Sequence, residues 1–293
     1  MMGKKGFTLL ELLLATALLG LILAMAYAPL VQSLQIRSDQ ETAASVQARM
    51  RRVLEVFTQD LRSAVFGAIT NTPYPSSVTS VSFALIEGGA GYPVLPHDQG
   101  GSQSFRTASE TKILQMVADQ SQVDIQRGDN VLMVNASGQA VLLPVTNVNP
   151  VGGEPNRWHI VHAGCGNTID YTPNTLLFRV RTLGFKYRAD TRTLLVNDGL
   201  EMPLAFEISR FRIDYVYRTG SGNEVINPPG YAASGTPAQV FNYEGRLYTL
   251  RRLQLVFASE ELSRGKKVER TYTGQVELSN NPTYQVKEVV PCR

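Results

Sequence analysis

The sequence predicts an α+β fold in which one long N-terminal helix precedes a β-rich domain. Three observations predict it. Apolar residues from Phe7 to about residue 70 recur with helical spacing, and no glycine or proline falls between Leu30 and Phe66. The first part of that stretch is apolar throughout, and the second is amphipathic. From residue 112 the pattern changes to short alternating runs separated by turn residues.

The helix begins with its most informative residues. Lys4 and Lys5 precede Gly6 and Phe7, and Glu11 is the only charge between Lys5 and Arg37. Leu12 to Val31 is thus a membrane-span candidate, at roughly 20 apolar residues per crossing. The basic residues lie on its N-terminal side, which predicts a cytoplasmic N-terminus and an exported remainder. A carboxylate in such a segment costs about 3 kcal/mol on insertion scales, so Glu11 calls for a partner or a function.

Gly6-Phe7-Thr8-Leu9-Leu10-Glu11 resembles the cleavage and methylation site of type IV prepilins and of type II secretion pseudopilins. The resemblance implies that prepilin peptidase cuts between Gly6 and Phe7 and N-methylates Phe7. It implies that Lys4 and Lys5 are the leader charge, and that Glu11 pairs with the positive N-terminus of a neighbouring subunit. The implied fold is pilin-like, with the helix packed on an antiparallel sheet. Residues 1–6 are then a cleaved leader, 7–31 a transmembrane and filament-core helix, 32–70 an amphipathic helix and 71–293 a globular β-rich domain. The implied location is the inner membrane before assembly, with the domain exported, and then a periplasmic or cell-surface filament. Two other readings share export: a secretory signal, since Ala24-Met25-Ala26 and Ala26-Tyr27-Ala28 fit its cleavage pattern, and a plain anchor. Both leave Glu11 unexplained.

Beyond the span, Leu34, Val46, Met50, Val53, Leu54, Phe57, Leu61 and Val65 keep helical steps. The two parts read as one helix of about 60 residues. Pro29 is expected to kink or open it, with Gly20 a second weak point. Gly67 and Asn71-Thr72-Pro73 are stop signals. Gln59-Asp60-Leu61-Arg62-Ser63-Ala64 is similar to a segment of the PilW-like minor pilins and of J-type minor pseudopilins. Phe211-Arg212-Ile213-Asp214-Tyr215 and Leu250-Arg251-Arg252-Leu253-Gln254-Leu255 look like strands of that group. This implies a minor subunit near a filament tip, whose partners are other pilins or pseudopilins and whose roles include pilus biogenesis or DNA uptake.

Residues 71–111, rich in Gly, Pro and Ser, read as a long connection with one strand at Val81–Ile86. Strands are then predicted at 112–118, 130–135, 140–145, 157–162, 176–186, 194–196, 206–218, 247–258 and 268–278. A phase slip at Ser209-Arg210 marks a bulge.

Composition excludes some functions. Without the two leader lysines, 26 basic residues face 25 acidic ones, which gives no general pull toward nucleic acid. Arg179, Arg181 and Arg188 are the candidate DNA contacts, since with Lys186 and Arg192 they could line one side of a hairpin. The alternative is a solvated, charge-balanced face. Cys165 and Cys292 form one candidate disulfide in an exported protein, with two free thiols as the alternative. His159, His162 and Cys165 have ligand chemistry, but residues three apart on a strand point to opposite faces, so no metal is predicted. A Cys–His nucleophile pair matches no hydrolase signature, and neither a nucleophile elbow nor a phosphate loop occurs. The expectation is a structural subunit without a cofactor. The alternative of another class is an adhesin or DNA receptor displayed on the same stem, and a third is an anchored enzyme.

Overall fold

The computed structural model describes residues 9–63, 65–87, 91–99, 102–104, 109–169, 174–263, 266–278 and 286–292. The chain forms two compact units, Met1–Arg51 with Glu261–Val268, and Arg52–Glu260 with Glu269–Arg293. Lys4, Lys5, Gly6 and Phe7 lie outside the described residues.

Helix α1 (Leu9–Ser63) begins in the first unit and continues unbroken through Pro29. Its first half is built from strong helix formers, chiefly Leu and Ala. The hydroxyl of Thr16 donates to the carbonyls of Leu12 and Leu13, each at 3.0 Å, which satisfies it without water. Farther along, Arg37 and Glu41 form an exposed ion pair one turn apart. Val46, Met50, Val53 and Phe57 follow at steps of four, three and four, and all are buried.

In the second unit the end of α1 packs on strands. Phe57 stacks on Phe185 with ring centroids 3.5 Å apart. Gly274 lies directly under Leu54, where any side chain would collide with the leucine.

The strands are β1 (Val65–Thr70), β2 (Ser80–Ile86), β3 (Tyr92–Leu95), β4 (His97–Gln99), β5 (Ser102–Ser104), β6 (Glu110–Leu114), β7 (Asn130–Val134), β8 (Gln139–Pro144), β9 (Asn147–Pro150) and β10 (Arg157–Val161). They continue as β11 (Leu176–Arg188), β12 (Thr193–Asn197), β13 (Glu201–Ala205), β14 (Ile208–Thr219), β15 (Glu224–Ile226), β16 (Val240–Tyr243), β17 (Arg246–Ser263), β18 (Lys266–Glu277) and β19 (Glu288–Val290). A 12-stranded sheet runs β19-β8-β7-β11-β3-β6-β10-β9, with β1, β2, β12 and β13 attached off that path. Its hub is β11, which pairs with β2, β3, β7 and β12.

Both faces of this sheet are covered. On β7, Val131 and Met133 join a cluster with Ile113, Leu143, Trp158 and Ile160. Leu132 and Val134 point the other way, into a cluster with Ala84, Ile86, Phe178 and Val180. That is why β7 reads as a continuous apolar run rather than an alternation. A separate sheet has the order β15-β14-β17-β16, with β18 on β17. The hydroxyl of Tyr215, on β14, donates to the Ser77 carbonyl at 2.9 Å and ties this sheet to the loop before β2.

Several expectations are met. The layout is α+β, and the β14–β17 register shifts between Ile208 and Arg210, where the phase slip falls. Others need correction. The amphipathic helix, expected to reach residue 70, ends at Ser63, and 65–70 is β1 paired with β2. Val65, Phe66 and Ile69 satisfy helix and strand patterns alike, and the partner that decides is distant in sequence. Gly67, read as a helix stop, occupies the β1 bulge, where a Cβ would sit 2.7 Å from the Ala84 carbonyl oxygen. The long connection at 71–111 contains β3, β4, β5 and the start of β6 as well as the expected β2. The last long strands form their own sheet, and β19 adds to β8 in parallel.

Candidate functional site: the N-terminal helix

The first turn of α1 holds Glu11, which suits the positive end of the helix dipole. Around it Leu9, Leu10, Leu12, Leu13 and Leu14 are all exposed. The most apolar window of the helix has a mean hydropathy of 2.4, and none of it is buried among the described residues. By length and composition α1 can cross a membrane. A helix apolar on every side needs apolar surroundings, in lipid or against other helices.

The N-terminal segment matches the family model of the prokaryotic N-terminal methylation motif over residues 1–27. Neither a curated protein nor a solved structure matches the chain. The motif, at the head of an exposed apolar helix, makes this a type IV prepilin-like N-terminus, and the helix fits the membrane anchor of a pilin. It supports a type IV pilin-like or pseudopilin protein. Gly6 and Phe7, expected from the resemblance to flank the cleavage, fall within the match and outside the described structure.

The remaining candidate residues lie in the β domain. Cys165 and Cys292 are joined as a disulfide, with Cα atoms 5.2 Å apart. The bond ties the tail after β19 to the loop after β10. The arginines do not form one stripe. Along β11, which pairs without a register shift, Arg179 and Arg181 share one face while Lys186 and Arg188 share the other. Arg179 is moreover held by acids, with Nη2 at 3.4 Å from Glu87 and Nε at 3.2 Å from Asp129. Arg188 faces Asp190 at 3.8 Å.

The histidines separate as strand geometry requires. His162 is fully buried, its Nε2 3.2 Å from Thr111 Oγ1 and its Nδ1 3.1 Å from the Cys165 carbonyl oxygen. Burial pushes its pKa below the ordinary histidine value, partly offset by the Cys165 carbonyl. His159 lies on the opposite face of β10 and meets residues the sequence had not grouped with it. Glu110, on β6, comes within 3.4 Å of its Nδ1, and His97, on β4, lies 5.1 Å away between ring centroids with the rings tilted by 43°. The separations along the chain follow no ligand motif, so only strand pairing could reveal this cluster. Next to it Lys112 is buried, with Nζ 2.6 Å from Glu154. Hydrogen bonds from Lys112 and then Arg157 hold the Glu154 carboxyl below its usual range.

Proposed function

We propose that the protein is a minor pilin-like structural subunit of a type IV pilus, processed by prepilin peptidase and assembled through its N-terminal helix near a filament tip. One observation carries this reading: the methylation motif runs directly into an all-round apolar helix with Glu11 in its first turn. Lys4 and Lys5 keep the leader in the cytoplasm while the span stores the precursor in the inner membrane. Cleavage after Gly6 creates a positive amine on Phe7. Glu11 lowers the cost of burying that charge, and its own, by pairing with the amine of an adjacent subunit. The helices form the apolar filament core, and the β domain faces outward. A minor pseudopilin of a type II secretion system would use the same motif and helix. Which machine co-purifies with the protein tells the two apart.

The test is N-terminal mass analysis of the protein from its native membrane or filament fraction. A start at N-methylated Phe7 is expected, and a start near Tyr27 or Pro29 overturns the reading. Gly6→Leu should leave the precursor uncut. Glu11→Val should be cut but fail to enter filaments, and normal incorporation would remove the pairing argument.

A further inference from the structure

We propose that His97, Glu110 and His159 form a binding site for one divalent transition-metal ion of the zinc class. The site is independent of the assembly reading. Its residues come from three strands, β4, β6 and β10, and their ligand atoms all lie within 4.8 Å of one another.

The spacing favours coordination over hydrogen bonding. Nδ1 of His97 is 3.8 Å from Glu110 Oε1, and Nδ1 of His159 is 3.4 Å from Glu110 Oε2. An N–H···O bond would close to about 2.7–3.2 Å. Two ligands that each sit about 2.0–2.1 Å from a tetrahedral ion lie roughly 3.4 Å apart. The pairs already stand near that edge length, with both imidazoles facing one carboxylate.

Donor chemistry selects the metal. Magnesium and calcium take oxygen ligands, whereas two imidazoles with a carboxylate suit zinc and its transition-metal neighbours. Burial adds to the case, since His97 is 7% exposed and the other two are partly buried. Lys112 is a cation on this same face, paired directly across from His159. Its ammonium is 2.6 Å from Glu154, and that carboxylate compensates its charge.

Placement follows from topology. His159 and Glu110 lie on the outer face of the β6–β10 pair, opposite the face where Ile113, Trp158 and Ile160 join the core. The chain leaving β3 brings His97 over that face at the start of the β4–β5 hairpin. A bound ion would cross-link that hairpin to the large sheet. Three protein ligands leave a fourth position for water.

The experiment uses untagged full-length protein in detergent micelles, treated with a chelator and then freed of it. The protein is titrated with CoCl2 by absorption and with ZnCl2 by calorimetry. The expected result is one equivalent of cobalt with the visible bands of a tetrahedral site, lost when zinc is added. Zinc should raise the midpoint of thermal unfolding. His159→Gln and Glu110→Gln should each weaken binding at least tenfold while near-ultraviolet circular dichroism stays unchanged. Wild-type protein that takes up no stoichiometric cobalt overturns the proposal whatever the variants do. So does unchanged zinc affinity in a folded His159→Gln or Glu110→Gln protein.

Discussion

Residues 9–30 and strand β7 are both written in long-chain aliphatics, yet the structure treats them oppositely. Leu18 on the helix is 52% exposed, while Leu132 on β7 has no exposed surface. β7 finds apolar neighbours on both faces within its own unit, and the most apolar window of the early helix is left unburied among the described residues. A leucine therefore reports the stability of the domain in one region and the need for an external apolar partner in the other. Hydrophobic burial depends on area removed from water, and which molecule removes it differs between them.

One pair of identical substitutions could break this comparison, and it carries the largest expected effect. Leu132→Ala should destabilise the β domain by about 2–5 kcal/mol, the cost of lost burial plus a cavity. Leu18→Ala should move domain unfolding by less than about 0.5 kcal/mol, as changes remote from a packed core do. Trp158, the only tryptophan and a member of the core, supplies the fluorescence signal for guanidinium unfolding in detergent. Similar losses for both variants would mean that the early helix is stabilised by this domain, and the contrast would fail.

The disulfide sharpens the comparison at the next level. Cys165 and Cys292 are 127 residues apart in sequence, so their bond closes a long loop of the β domain and spans no part of α1. Replacing both by serine should cost about 2–4 kcal/mol, the usual range for loss of one disulfide. Circular dichroism should show the helical signal persisting in detergent as the Trp158 transition moves to lower denaturant. A simultaneous loss of helix and sheet signals would argue against separate behaviour.

The same contrast explains what the sequence could disclose. The span and Glu11 were legible from hydropathy and charge, and the contiguous methylation motif from its resemblance to type IV prepilins. Strands such as β7 and β14 were legible because apolar runs or alternation mark them locally. β1 was not, because Val65-Phe66-Gly67-Ala68-Ile69 becomes a strand only by pairing with β2. β3, β4 and β5 hide in a Gly/Pro-rich stretch for the same reason. The His97–Glu110–His159 cluster was the least legible, since its members meet only after β6 and β10 have paired. Chemistry assembled by strand pairing leaves little trace in linear spacing.

The smallest effect concerns pH and follows from His162. Its imidazole is buried, and desolvation favours the neutral form in the folded state. The unfolded chain instead takes up a proton near the usual value of about 6.5. Between the two pKa values the unfolded state binds more protons, so stability rises with pH in that window. Full stability is therefore expected above about pH 6.5, with a decline as pH falls toward the lowered folded value. The Cys165 carbonyl fixes the proton on Nδ1, which leaves Nε2 to accept from Thr111. His162→Gln should flatten the decline between about pH 7 and 5 relative to wild type, with chelator present throughout. Trp158 fluorescence reads the change, because His162 follows β10 directly, four residues from that tryptophan. A wild-type profile flat over this range, or one that keeps its slope in His162→Gln, would show that burial of His162 does not set the acid sensitivity of the β domain.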